Sequence, residues 1–186
     1  MNSHPTPPDD RVAERGAGFG PGAGGAAPDT YVIARAVARD ARAILALQRL
    51  AYQSERALYP ASPMPPLTQT LAELEAEMAE QTVLKAASDA DPVGRIVGAV
   101  RGRRAGDAVL IGRLIVHPDA QGRGLGTRLM AAVEACFPDA ARFELFTGHR
   151  SARNLALYAR LGYREVRREP VTPELTLVTL EKAAGA

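Results

Sequence analysis

The chain has no tryptophan, one cysteine and three histidines in 186 residues, and each scarcity removes a class of chemistry. A single thiol, Cys136, cannot close an internal disulfide. Three scattered histidines, His4, His117 and His149, form no zinc-ligand spacing with it, so no metal is expected. Cys136 falls on the apolar stripe of an expected helix, where it reads as a small buried hydrophobe rather than a nucleophile. Nowhere do about eighteen apolar residues run uninterrupted, and the N-terminus lacks the basic start and apolar stretch of a signal peptide, so a cytoplasmic protein without a membrane partner is expected. Charge of one sign is lacking too: 23 Lys and Arg against 21 Asp and Glu leave a net +2. With the arginines spread along the chain, nucleic acid is not implied. The arginines between Arg113 and Arg168 read either as solvated surface or as a field that draws in an anionic ligand.

What is present suits one globular domain, since 46% hydrophobic and 24% charged residues can bury a full core. Residues 1–29, with the run Gly16 to Gly25, carry too little apolar surface to offset ordering entropy and read as a disordered Gly/Pro/Ala-rich tail. The domain is expected over 30–183. It opens on a strand at Tyr31 to Ala34. Asp40 is a plausible N-cap for a helix reaching about Glu55, with Ile44, Leu47 and Ala51 on one face. Four prolines between Tyr59 and Leu67 predict an irregular loop. Thr70 and Glu73 then form a capping-box pattern before Leu71, Leu74 and Met78. Three extended segments follow, 82–86, 95–101 and 108–116, as an antiparallel meander. Leu125, Leu129, Val133 and Cys136 mark an amphipathic helix ending near Pro138. A strand at 142–147, a helix at 151–160 closing at Gly162, and strands at 163–168 and 175–180 complete the order βαα, βββ, αβ, αββ.

The segment after the third meander strand carries chemistry. His117-Pro118-Asp119-Ala120 leads into Gln121-Gly122-Arg123-Gly124-Leu125-Gly126-Thr127, which opens the amphipathic helix. Alternating glycines let several N–H groups point into one concavity, and the helix N-terminus adds free amides and a positive dipole end, so the turn suits a phosphate. A tight strand-to-helix turn alone would need one glycine. No Gly-Lys-Ser/Thr closes the run, which excludes a P-loop. A dinucleotide fingerprint fails on spacing, because its third glycine would fall at Thr127 and five residues separate strand from first glycine.

Leu114 to Gly126 resembles the signature of the GNAT superfamily, the acyl-CoA-dependent N-acyltransferases. Asn154-Leu155-Ala156-Leu157-Tyr158-Ala159-Arg160-Leu161-Gly162-Tyr163 is similar to that superfamily's later helix-and-strand motif. The resemblance covers about Tyr31 to Leu180. It implies a mixed α/β fold: a central, mostly antiparallel sheet of about seven strands with four helices, splayed at the acyl-CoA site. Residue by residue, it implies Leu114, Ile115 and Val116 for the pantetheine arm, Gln121, Gly122, Arg123, Gly124, Leu125, Gly126 and Thr127 for the pyrophosphate, and Asn154 for a cofactor contact near the arm; a polar residue that simply caps or solvates the helix start is the other reading of Asn154. The donor would be acetyl-CoA, the partner an amine acceptor, and a homodimer through the late strands is consistent with the likeness.

The implied activity is N-acetyl transfer to a primary amine of a small molecule or peptide, directly within a ternary complex. Such transfer needs a neutral amine, stabilisation of the oxyanion and a proton for the departing thiolate. The resemblance implies Tyr158 as the acid; a core aromatic with its hydroxyl satisfied locally is the other reading. The superfamily often draws a base from the central strands, where this chain has Gly112 and Arg113; Glu144, on the strand after the cofactor helix, is the remaining candidate, and a solvated or salt-bridged carboxylate is the alternative. Tyr52, Glu55 and Tyr59 would line the acceptor side, or else pack the proline-rich loop on the core. A non-catalytic acyl-CoA-binding or sensing module would use the same turn without Tyr158.

Overall fold

The computed structural model describes residues 31–88 and 94–185; the tail expected at 1–29 lies outside the described residues. The elements run β1 (Tyr31–Arg35), α1 (Ala41–Ala51), α2 (Gln53–Leu58), α3 (Pro65–Thr68), α4 (Leu71–Glu80), β2 (Thr82–Ser88), β3 (Ile96–Ala105), β4 (Ala108–Val116), α5 (Leu125–Ala135), β5 (Arg142–Gly148), α6 (Ala152–Arg160), β6 (Arg164–Pro170) and β7 (Thr176–Ala183). One seven-stranded sheet has the order β1-β2-β3-β4-β5-β7-β6. All neighbours are antiparallel except β4 and β5, which are joined by the crossover through α5.

The four long helices are the expected ones, and two short ones add to them. The helix expected to reach Glu55 is broken at Tyr52, where α1 ends and α2 begins. The proline loop holds the single turn α3, with Pro65 at its start, where a missing N–H costs nothing. Asp40 does not cap α1 through its side chain. It ends a short 3₁₀ turn instead, accepting from the Val37 N–H (2.8 Å) and pairing with Lys85 of β2 (2.7 Å). Although burial pushes its carboxyl upward, Lys85 and the Val37 N–H hold it below the usual range. The Thr70–Glu73 capping box is present, with Thr70 Oγ1 accepting from Glu73 N (3.2 Å) and Glu73 Oε2 from Thr70 N (2.7 Å). Such a cap contributes about 1 kcal/mol.

The apolar periods decide which face of the sheet each helix covers. Leu125, Leu129, Met130 and Val133 of α5 are buried against β2, β3 and β4, in a cluster that also takes Tyr158 of α6. Ile44, Leu45 and Leu47 of α1, with Leu74 of α4, pack on the opposite face around Ala99 and Ile115. Cys136 lies outside the core: it follows the last residue of α5, is exposed, and donates to Ala132 O, while Phe137 takes the buried place. Beneath α1 and α4, the Arg101 guanidinium is 3% exposed and bonded to Glu77, Gln48 (2.6 Å) and Gln69 (3.4 Å), which satisfies a charge that would otherwise be costly to bury.

β4 and β5 pair over three residues, ending at Leu110↔Glu144. From Ile111 to Val116 the edge of β4 that turns toward β5 has no strand partner, whereas β5 continues along β7 to Gly148. The sheet is split there, as the splayed fold predicts. β4 also bulges: Ala99 faces Ile115 but Arg101 faces Gly112, and Arg113 takes φ +53°, the one positive φ on a non-glycine residue among those described.

Candidate functional site

The split opens toward the glycine turn. Gly122 and Gly124 have φ of +76° and +77°, which a side chain would strain, and a Cβ on either would meet nothing within 4 Å. Gly126 sits in the first turn of α5, where a Cβ would come 3.5 Å from Leu157 of α6. Arg128 N–H is bonded back to Gly124 O (3.1 Å), so the amides of Leu125, Gly126 and Thr127 stand at the free end of the helix. Leu125 offers only that amide, since its side chain is 1% exposed. Gln121 is tied down: its Nε2 donates to Val116 O (3.0 Å) and its Oε1 accepts from Arg153 of α6. Backbone N–H groups, a positive helix end and open space thus coincide where a diphosphate would need them.

Tyr158 comes to the split from the α5 and α6 face. It is 7% exposed, and burial, then Tyr52 and then Glu55, push its phenol well above the ordinary value. Its hydroxyl has no hydrogen-bond partner among the described residues, unlike that of Tyr163, which is edge-on to it and donates to Glu134 (2.8 Å). Tyr52 and Glu55 come from the opposite face, at the head of and within α2. Glu55 reaches across the split to α6: Oε2 accepts from Ser151 Oγ (2.5 Å) and Oε1 from Asn154 Nδ2 (3.2 Å), and that amide also donates to Thr147 Oγ1 of β5 (3.4 Å). Tyr158, Tyr52, Glu55 and Asn154 are therefore brought together.

Glu144 and Tyr59 are placed elsewhere. Glu144 lies on the last closed rung, three residues and roughly 10 Å along the strand from Thr147. Tyr59 is 1% exposed, packed on Gly148 and tilted against His149, its hydroxyl accepting from Arg150 N (2.5 Å), so it fixes the loop rather than facing the cleft. His149 is engaged as well, accepting at Nδ1 from Thr176 N (3.1 Å). Sequence reasoning places Thr147 to Arg150 near the meeting of cofactor and acceptor, where Thr147 accepts from Asn154, but missed Ser151, which orients Glu55, and gave Arg113 no role beyond standing where an acid might lie. Arg113 is half-buried and lies 5.9 Å from the Tyr52 ring centre.

Residues 79–165, from the end of α4 to the start of β6, match the family model described as the acetyltransferase (GNAT) domain. A search of curated proteins gives no match. Among solved structures the fold is similar to the ribosomal-protein-S18-alanine N-acetyltransferase from Escherichia coli, with 17% identity, a TM-score of 0.64, and coverage of 84% of this chain and 96% of that one. It is also similar to the PaiA N-acetyltransferase from Thermoplasma acidophilum in complex with coenzyme A (12%, TM-score 0.66, 83% and 99%). A GNAT superfamily phosphinothricin acetyltransferase from Sinorhizobium meliloti in complex with AcCoA is a third (18%, 0.67, 84% and 89%). At these identities the likeness is one of fold. No helix among the described residues is long and apolar enough to cross a membrane.

Proposed function

We propose that this chain is an acyl-CoA-dependent acetyltransferase of the GNAT family, and that it moves an acetyl group from acetyl-CoA directly to a primary amine, with Tyr158 as general acid and Glu55 as the carboxylate that receives the amine. The observation that carries this reading is the meeting of Tyr158 and Glu55, from opposite faces of the sheet, at the open end of the β4–β5 split.

In this reading the free edge at Leu114, Ile115 and Val116 pairs with the pantetheine arm, and the turn from Gln121 to Thr127 takes the pyrophosphate, with Asn154 beside the arm. Acetyl-CoA supplies a thioester carbonyl; everything else falls to the chain. An alkylamine of pKa near 10.4 is neutral in roughly one molecule in 2,500 at pH 7. Each oxygen of Glu55 already accepts one hydrogen bond and retains a lone pair for an ammonium N–H. Glu55 takes a proton from the bound ammonium, the neutral nitrogen forms the new C–N bond while backbone amides hold the charge growing on the carbonyl oxygen, Tyr158 gives its hydroxyl proton to the departing sulfur as the C–S bond breaks, and the second proton shed by the nitrogen restores the Tyr158 phenol. A buried phenol resists ionisation, and the same low-dielectric surroundings raise a thiol in step, so the two remain matched.

Glu144 remains the competing base, and paired variants separate them. Glu55→Gln is expected to lower kcat about 10² to 10³-fold, while Glu144→Gln keeps it. The reverse pattern would move the role to Glu144.

A further inference from the structure

Arg113 takes no part in the transfer chemistry, yet it is held at the acceptor side of the split at a cost. A left-handed conformation strains a residue with a Cβ by about 1 kcal/mol, and the bulge in β4 imposes it here. The bulge turns the guanidinium toward the α1 and α2 face, against Tyr52. It is half-buried and forms no ion pair with any described residue. The carboxylate of Glu77 is occupied by Arg101, and Arg101 and Arg113 repel one another. Arg101 thus has a carboxylate and Arg113 has none among the described residues, leaving a positive site under Tyr52.

Glu55, one helical turn beyond Tyr52, bears the opposite charge and does not pair with Arg113 either; its neighbours are Ser151 and Asn154. A cation and an anion therefore flank Tyr52 in one cleft without neutralising each other. Building on the acetyltransferase reading, we propose that the acceptor is an amino acid with a free carboxylate, its ammonium group held by Glu55 and its carboxylate gripped by the two-pronged Arg113 guanidinium. Such a substrate completes both charges at once, and an amine without the carboxylate leaves Arg113 unpaired in a partly desolvated place. The discrimination expected from one such pair is about tenfold to a hundredfold.

The test uses the full chain with saturating acetyl-CoA and follows thiol release with matched acceptors: L-α-amino acids and straight-chain ω-amino acids, the methyl ester of each, the corresponding carboxylate-free amines, and tripeptides bearing the same amine. The best amino acid is expected to exceed its ester at least tenfold in kcat/KM. Arg113→Gln should bring that ratio near one by raising KM for the acid while KM for acetyl-CoA holds, and Arg113→Lys should restore part of it. Esters, simple amines or tripeptides used as well as acids, or an unchanged ratio in a folded Arg113→Gln variant, would overturn the proposal; if that variant fails to fold, the wild-type ratio decides alone. Thermal melting with acetyl-CoA keeps the two readings apart. Without stabilisation by acetyl-CoA, the acetyltransferase reading itself falls; with stabilisation but no transfer to any amino acid, only the acceptor class falls.

Discussion

Replacing Tyr158 with phenylalanine removes one oxygen, and the structure sets two expectations for it that pull apart. Because the hydroxyl has no hydrogen-bond partner among the described residues, its loss should cost less than about 1 kcal/mol of stability. As a general acid the same oxygen is worth about 10² to 10⁴ in rate, or roughly 3–5 kcal/mol of barrier. Burial first, and then Tyr52 and Glu55, raise the phenol, so it keeps its proton beyond the ordinary value near 10. The wild-type rate should therefore show no descending limb from Tyr158 up to about pH 10, and Tyr158→Phe should be depressed by the same factor at pH 7 and pH 9.5. The assay is steady-state thiol release at saturating acetyl-CoA and amine, repeated with a thioester of a more acidic thiol, where a leaving group that needs no proton should shrink the defect. A kcat within about threefold of wild type at both pH values, in a folded variant, would refute the acid role and return Tyr158 to the core as a packing aromatic.

Gly148→Ala drives a Cβ into the Tyr59 hydroxyl and to 2.6 Å from the adjoining ring carbon, against a side chain that is 1% exposed; a loss of about 1–3 kcal/mol in chemical denaturation is expected, and Tyr59→Phe should not rescue it because the ring carbon stays in place. Gly122→Ala meets no atom within 4 Å but must adopt φ +76°, so it should cost about 1 kcal/mol of stability and raise KM for acetyl-CoA at least tenfold; an unchanged KM would detach the turn from the cofactor. Tyr158 and Tyr163 both have raised phenols, by burial first, with the hydrogen bond to Glu134 adding to the shift of Tyr163. An unfolded tyrosine ionises near pH 10, so this stability is complete below pH 10 and drains above it, at up to about 1.4 kcal/mol per pH unit for each group. Denaturation at pH 9 and pH 11 measures the slope, Tyr163→Phe should flatten it, and a level profile would contradict both shifts.

Local signals were legible in the sequence, and long-range ones were not. Most strands and the four long helices follow from apolar periods and turn residues, and the glycine turn from three glycines beside a helix start, because each depends on neighbours within a dozen residues. The break at Tyr52 left no mark, since no glycine or proline interrupts Ala41 to Leu58 and both helices keep helical backbone at the joint. Arg113 was hidden by Gly112, which is the residue expected to take an unusual φ, yet the bulge falls one position later. Glu55 meets Ser151 and Asn154 across 96 and 99 residues of chain, and only tertiary packing connects them. Asp40 shows the same limit on a smaller scale, since Lys85, 45 residues away, competes for the side chain that would cap α1.

The split that frees the β4 edge also removes ladder hydrogen bonds, each worth about 0.5–1.5 kcal/mol net, so something must hold the two halves of the sheet at a fixed separation. The acceptor-side segment does this. Glu55 is bonded to Ser151 and Asn154, Tyr59 to Arg150, Ala61 to Glu174 (3.2 Å) and Ser62 to Thr172 (2.7 Å), so residues 55–62 tie the α1 half to the β5–β7 half. On the proposed function, the lip that meets the acceptor is then also the clamp across the β4–β5 split, and a substitution there acts on both. Glu55→Gln keeps an oxygen acceptor and the side-chain length, whereas Glu55→Ala leaves Ser151 Oγ, on a residue 3% exposed, without its acceptor. Both should lose activity, but Ala should also unfold earlier by about 1–3 kcal/mol and weaken acetyl-CoA binding, while Gln should hold both nearly constant. Equal stability and equal acetyl-CoA affinity in the two variants would show that the halves of the sheet are held apart by other contacts, leaving Glu55 with the amine alone.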